Sequence, residues 1–196
     1  MRKVLENNIQ IIVGLGNPGN DYEKTRHNAG FWFIDHLVSQ HNLTLKKEAK
    51  FLGEVASLNS PSGNIWLLKP MTFMNRSGQS IARLARFYKI KPEQILVVHD
   101  ELDLSPGTVK LKQGGGHGGH NGLRDSIAQL GSKNFYRLRL GIGHPGNKEQ
   151  VVGFVLGKTP QAEKALIESA IDKSFASIDL ILQGNMQKAM NHLHAQ

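Results

Sequence analysis

Two short apolar runs constrain this chain more than any other feature. IQIIVGL at residues 9–15 and ILVVHDE at residues 95–101 are brief, β-branched at their centres, and stopped by glycine or by acids. Runs of that length and ending read as strands buried inside a sheet. Segments of helical period lie between and around them. Residues 28–41 place Phe31, Ile34, Leu37 and Val38 on one face. Ser77 stands where it can cap a helix carrying Ile81, Leu84, Ala85 and Tyr88 inward. Phe51–Leu58 and Ile65–Lys69 read as strands on either side of a Ser-Pro-Ser-Gly turn, and Thr108–Lys112 as a further strand. Asn121 can cap a short helix closed by Gly131. Residues 136–142 alternate, with Tyr136, Leu138, Leu140 and Ile142 on one side and Arg137 and Arg139 on the other. Pro160 opens a long amphipathic helix that ends near Gly184, and residues 186–194 form a last one. Strands and helices interleave. The expectation is one α/β domain over 1–196, a mixed, twisted central sheet flanked by helices.

Composition narrows the function classes. The chain has no cysteine, which removes disulfides, thiolate zinc sites and thiol nucleophiles. The opening stretch MRKVLENNIQ is polar and lacks the apolar segment of a signal peptide. No apolar run approaches the ~18 residues of a membrane span. A cytoplasmic protein is expected. The formal net charge of +8 is uneven. Between Ser105 and Lys148 stand seven bases (Lys110, Lys112, Arg124, Lys133, Arg137, Arg139, Lys148) and one acid, Asp125. A patch of that density suits an anionic partner, and nucleic acid first.

Several motifs can carry chemistry. GLGNPG at 14–19 matches a dinucleotide fingerprint, but Pro18 and the following NDYEKTRHN postpone the helix that should begin within the glycines. Asn17-Pro18-Gly19 reads better as a tight turn that exposes the Asn17 amide at a strand's carboxyl end. His27 stands just before a helix. Asp100, Glu101 and Asp103 follow the strand ILVV, and any of the three can orient an imidazole and stabilise its charged form. Asn75 is neutral and cannot serve as a base, but its amide can donate to a developing oxyanion or hold a water. His117 and His120 are three residues apart in GGGHGGHNG, a spacing open to metal. The absence of H-E-x-x-H and the looseness of a glycine stretch argue for no metal. With no cysteine and no G-x-S-x-G elbow, direct attack by water on an activated bond such as an ester remains.

Five blocks, GLGNPGNDYEKTRHNAG, KPMTFMNRSG, HDELDLSPG, GGGHGGHNGLRD and RLRLGIG, together resemble the bacterial peptidyl-tRNA hydrolase family in order and spacing. The resemblance runs from about Ile11 through GFVLGK at 153–158. It implies hydrolysis of the ester joining a peptide to the terminal ribose of tRNA, which recycles peptidyl-tRNA lost from ribosomes. It also implies His27 as general base, Asp100 as its support, and Asn17, Asn75 and Asn121 as positioning amides. Tyr22, Phe73, Met74 and His120 match residues lining the same cleft, and Lys112, Arg139 and Lys148 match bases that hold tRNA phosphates. The family implies no cofactor, no metal, no membrane, no obligate protein partner and a monomer. The glycines of GGGHGGHNG would then line a groove for the peptide, with His117 structural. Two other readings compete: a non-catalytic RNA-binding module, which leaves His27, Asp100 and the three asparagines without a role, and a nucleotide-dependent oxidoreductase, which fails on helix placement.

Overall fold

The computed structural model describes residues 8–195. The opening polar stretch up to residue 7, and Gln196, lie outside the described residues. Strands β1 (Ile11–Gly14), β2 (Lys46–Glu48), β3 (Gly53–Ser60), β4 (Gly63–Pro70), β5 (Ile95–Glu101), β6 (Val109–Gln113) and β7 (Tyr136–Gly141) form one sheet. Their order is β2-β3-β4-β1-β5-β7-β6. The four inner strands β4, β1, β5 and β7 are parallel. The outer strands β2, β3 and β6 are antiparallel to their neighbours. Around the sheet lie α1 (Ala29–Gln40), α2 (Ser77–Phe87), α3 (Asn121–Leu130), α4 (Val151–Leu156), α5 (Gln161–Phe175), α6 (Ile178–Leu182) and α7 (Met186–His194).

The pleat sorts the apolar runs into two cores. Ile12 faces Phe33, Ile34 and Leu37 of α1 and, further out, Ile167 and Ile171 of α5 and Leu193 of α7. Ile11 and Val13 face the other way, toward Ile81 and Leu84 of α2 and Leu123 of α3. Each fully buried side chain of this size contributes about 1.5–3 kcal/mol. The crossover after β1 therefore leaves on one face and the crossover after β4 on the other, and β1 separates β4 from β5. Open α/β sheets leave a crevice at such a switch point, outside the carboxyl ends of their strands. No helix among the described residues is long and apolar enough to cross a membrane.

Local expectations need several corrections. Ser77 does not cap α2. It is the first helical residue, and its hydroxyl donates to Met74 O at 2.8 Å. Asn121 does not cap α3 either: His120 does, and Gly131 closes the helix in the left-handed region as expected. The long helix after Pro160 is two helices. Ser174 and Ser177 are wholly buried at the break, and Ser177 Oγ lies 2.6 Å from His192 Nδ1. The bend turns Ile178, Ile181 and Leu182 of α6 into the core. β2 and α4 were not expected, since three residues and six residues carry too little pattern to be read.

Candidate active site

The site grows from a close approach. A side chain on Gly14 would overlap the Gly30 carbonyl oxygen, and one on Gly30 would overlap the backbone at Leu15 and Val98. Without side chains there, the start of α1 sits directly on the carboxyl ends of β1 and β5. The 3-10 turn Arg26–Asn28 ahead of α1 thus holds His27 over the sheet edge. Its neighbours lock it. Arg26 pairs with Glu163 at 2.8 Å, donates to Phe154 O at 3.0 Å and stacks over the Phe154 ring at 3.8 Å. The Asn28 carboxamide accepts from Asn17 N at 2.8 Å and donates to Asn17 O at 2.9 Å. Neither Arg26 nor Asn28 was singled out in the sequence, because nothing local marks a partner 137 or 11 residues away.

β5 delivers Asp100 beneath His27. Nδ1 of His27 lies 2.9 Å and 3.0 Å from the two carboxylate oxygens, so Asp100, rather than Glu101 or Asp103, is the acid in contact. Nε2 of His120 lies 2.9 Å from Asp100 Oδ1. Nδ1 of His120 accepts the backbone N–H groups of Gly122 and Leu123 at 3.1 and 3.3 Å. That nitrogen must be bare, so the His120 proton sits on Nε2 and is donated to Asp100. His27 donates from Nδ1 in the same way, which leaves its Nε2 lone pair as the basic atom of the cluster. Burial disfavours charge on His27, but the Asp100 carboxylate outweighs burial by charge and hydrogen bond, and the His27 pKa is raised. Burial alone would push Asp100 up; the two imidazoles beside it instead hold it far below the usual carboxylate range. His99, the residue before it, is fully buried and donates Nδ1–H to Asp100 O at 2.7 Å. Burial above all pushes His99 down to about 3.

The three asparagines stand around this cluster. Asn17 is buried, and its Oδ1 accepts from Met74 N at 2.7 Å, which ties the loop after β4 to the end of β1. Asn121 Oδ1 accepts from Arg124 Nη1 at 2.7 Å. In both, the oxygen is engaged and the NH2 group remains to donate. Asn75 is exposed in the 3-10 turn Met74–Arg76. Asn17, Tyr22, His27, Phe73, Met74, Asn75, Asp100, His120, Asn121 and Lys148 all line one cleft of about 710 Å³. Tyr22 and Phe73 meet edge to face at 6.1 Å. The opposite wall is apolar, from Val151, Val152, Val155 and Leu156 of the unforeseen α4.

Lys112 and Arg139 do not line that cleft. They lie on β6 and β7, beside Glu101. Burial and then the charges of Arg139 and Arg137 lower the Lys112 pKa. Arg137, expected on a polar face, is 1% exposed. It carries the glycine stretch: its guanidinium donates to the carbonyls of Gly115 and Gly116. Gly118 and Gly119 have φ of +56° and +82° and present bare backbone to the cleft. His117 Nδ1 accepts from Gly119 N at 3.0 Å within the same turn.

His27, Asp100 and His120 are also the three residues whose ligand atoms could converge on a metal, all within 4.8 Å. The fit is poor. A metal on His120 Nε2 would place the ring proton on Nδ1, against two backbone N–H donors.

An open α/β sheet that brings an imidazole, a buried carboxylate and a set of side-chain amides to one crevice is an arrangement able to carry acid–base chemistry on a polar bond. The peptidyl-tRNA hydrolase family model matches residues 11–196. A peptidyl-tRNA hydrolase of Neisseria meningitidis serogroup A is 56% identical over 98% of this chain and all of its own length. One from Actinobacillus pleuropneumoniae serotype 5b is 57% identical over 95% of this chain and 97% of its own. The crystal structure of a peptidyl-tRNA hydrolase from Acinetobacter baumannii superposes with a TM-score of 0.92 at 53% identity, covering 95% of each chain. This chain belongs to the peptidyl-tRNA hydrolase family.

Proposed function

We propose that this chain hydrolyses the ester between a peptide, or an N-blocked amino acid, and the terminal ribose of tRNA, and so recycles peptidyl-tRNA released early from ribosomes. The observation that carries the reading is the His27–Asp100 pair, whose one free basic nitrogen opens on the cleft. Nε2 of His27 takes a proton from water as the water oxygen attacks the ester carbonyl. The tetrahedral intermediate then expels the ribose oxygen, which recovers the proton from the imidazolium. Asp100 stabilises the imidazolium between those steps. The Asn75 amide donates to the attacking water or the oxyanion, a contribution of ~10²–10³-fold where such a donor has been removed elsewhere. The free NH2 groups of Asn17 and Asn121 hold peptide carbonyls, while Tyr22, Phe73, Met74 and His120 bound the path of the peptide.

Lys112, Arg139 and Lys148 hold phosphates, and the whole chain acts as one catalytic domain, a monomer in the cytoplasm, without a cofactor or obligate protein partner. Release of N-acetyl-aminoacyl groups from tRNA tests the reading, with wild type, wild type plus EDTA, and His27→Ala. Metal-independent release that is lost in His27→Ala, with tRNA binding retained, is the expected result. Activity that survives His27→Ala removes the general base, and tRNA binding without release by wild type removes the esterase.

A further inference from the structure

Among the described residues, two large apolar side chains adjacent in sequence are exposed outside the cleft, and both are aromatic. Phe87 is 57% and Tyr88 37% exposed at the end of α2. They belong to a cluster of four rings. Phe87 meets Phe51 and Tyr88 edge to face at 5.3 and 4.8 Å, and Tyr88 stacks on Trp66 at 4.4 Å. The exposed rings are therefore held in place before anything binds. α2 has 11 residues, so the cluster lies about 16 Å along the helix from the cleft end at Ser77.

The surroundings say what covers it. Residues 46–50 and 83–93, which lead into Phe51 and flank Phe87 and Tyr88 in sequence, hold seven bases (Lys46, Lys47, Lys50, Arg83, Arg86, Lys89, Lys91) against two acids, Glu48 and Glu93, with Lys47 opposite Glu54 across the sheet. All seven bases are exposed, whereas both acids are half-buried. Nζ of Lys50 lies 4.5 Å from the Phe87 ring centroid and 4.9 Å from that of Phe51. Arg86 donates to Gln129 O of α3 at 2.9 Å. An apolar protein surface or a second copy of this chain would have to desolvate these cations without compensation. Nucleotides satisfy both halves of the patch, since bases stack on aromatic rings and phosphates meet the ammonium groups. Paired bases hide their faces, so the occupant is unpaired.

We infer that the Phe87–Tyr88 cluster with Lys50, Lys89 and Lys91 is a second RNA-binding surface, remote from the cleft, that takes a single-stranded segment. The inference concerns binding alone and stands apart from the ester chemistry.

Anisotropy of a fluorescein-labelled uridine ten-mer tests it in a Lys112→Ala/Arg139→Ala/Lys148→Ala background, which silences the other proposed phosphate site. Phe87→Ala/Lys50→Ala is expected to weaken binding roughly fivefold or more. Phe87→Leu, which keeps the apolar bulk, should lose as much as Phe87→Ala, whereas Phe87→Trp should bind as well as the parent. Lys50→Ala/Lys89→Ala gives the same reading from exposed positions should the Phe87 variants lose their fold. No binding by the parent, or equal affinity in all variants, overturns the inference. So does a dimer that Phe87→Ala dissociates while RNA affinity is unchanged, because the occupant would then be a second copy.

Discussion

Nε2 of His120 lies 2.9 Å from Asp100 Oδ1, while its Nδ1 accepts the first free N–H groups of α3. One imidazole therefore both caps a helix and donates to the carboxylate that supports His27. The glycine-rich segment and His27, in the turn ahead of α1, are coupled through a single buried acid, and both ring nitrogens of His120 are occupied in doing so.

These roles can be separated by substitution. Asn is among the strongest helix caps but is too short to reach Asp100, whereas Ala loses cap and contact together. His120→Ala should be less stable than His120→Asn by about 1 kcal/mol in urea unfolding. The two variants should share a similar loss of kcat, since both release Asp100. Equal stabilities would show that the cap contributes nothing.

Asp100→Asn should leave tRNA affinity near wild type and lower kcat by ~10²–10⁴-fold, the usual worth of general-base catalysis. The pH profile carries the sign. His27 must be neutral to accept a proton, so kcat/KM rises with pH through the His27 pKa, which Asp100 raises. In residual Asp100→Asn activity, that inflection should move to lower pH. An inflection that stays in place would mean another group is titrating.

His99 should shape stability rather than rate. It is buried and neutral, with a folded pKa of about 3 against 6.5 for the free side chain. Below pH 6.5 the unfolded chain takes up a proton that the folded one refuses. The stability His99 contributes is thus complete above pH 6.5 and is lost as pH falls toward 3. The loss is on the order of 2 kcal/mol by pH 5. His27, with its raised pKa, acts in the opposite sense and in another window. Its contribution is complete below pH 6.5 and fades as pH rises through the folded value. His99→Gln should flatten the fall in urea midpoint between pH 6.5 and 5, and an unchanged slope would contradict this account.

Arg137→Ala should cost roughly 1–3 kcal/mol, because it strands the carbonyls of Gly115 and Gly116 that the guanidinium satisfies. Amide exchange over residues 114–119 should quicken, and KM should rise. Arg137→Lys should rescue little, since an ammonium cannot reproduce the planar fork.

Lys112→Ala and Arg139→Ala should raise KM and reduce its dependence on salt, with kcat retained. Phosphate contacts position a substrate and release counterions without entering the chemistry. Steady-state assays at two ionic strengths check this, and a defect in kcat alone would place these bases elsewhere in the mechanism.

The sequence by itself determined the class of fold. IQIIVGL and ILVVHDE had to be buried strands, and the helical periods of 28–41 and 77–85 had to supply faces to cover them, because local pattern and burial agree there; Tyr88, expected to face inward, lies past the end of α2 and is 37% exposed. It also marked the polar strand ends that hold Asn17 and Asp100. Pairings between distant segments were not legible. Which acid meets His27 depended on the register that sets β5 beside β1, since Asp100, Glu101 and Asp103 look alike along the chain. That His120 rather than Asn121 caps α3, and that Arg137 turns inward to hold the glycine carbonyls, follow from contacts across 20 residues or more. Such contacts are set by tertiary packing and by the need to satisfy buried polar groups. Neither leaves a periodic trace in sequence.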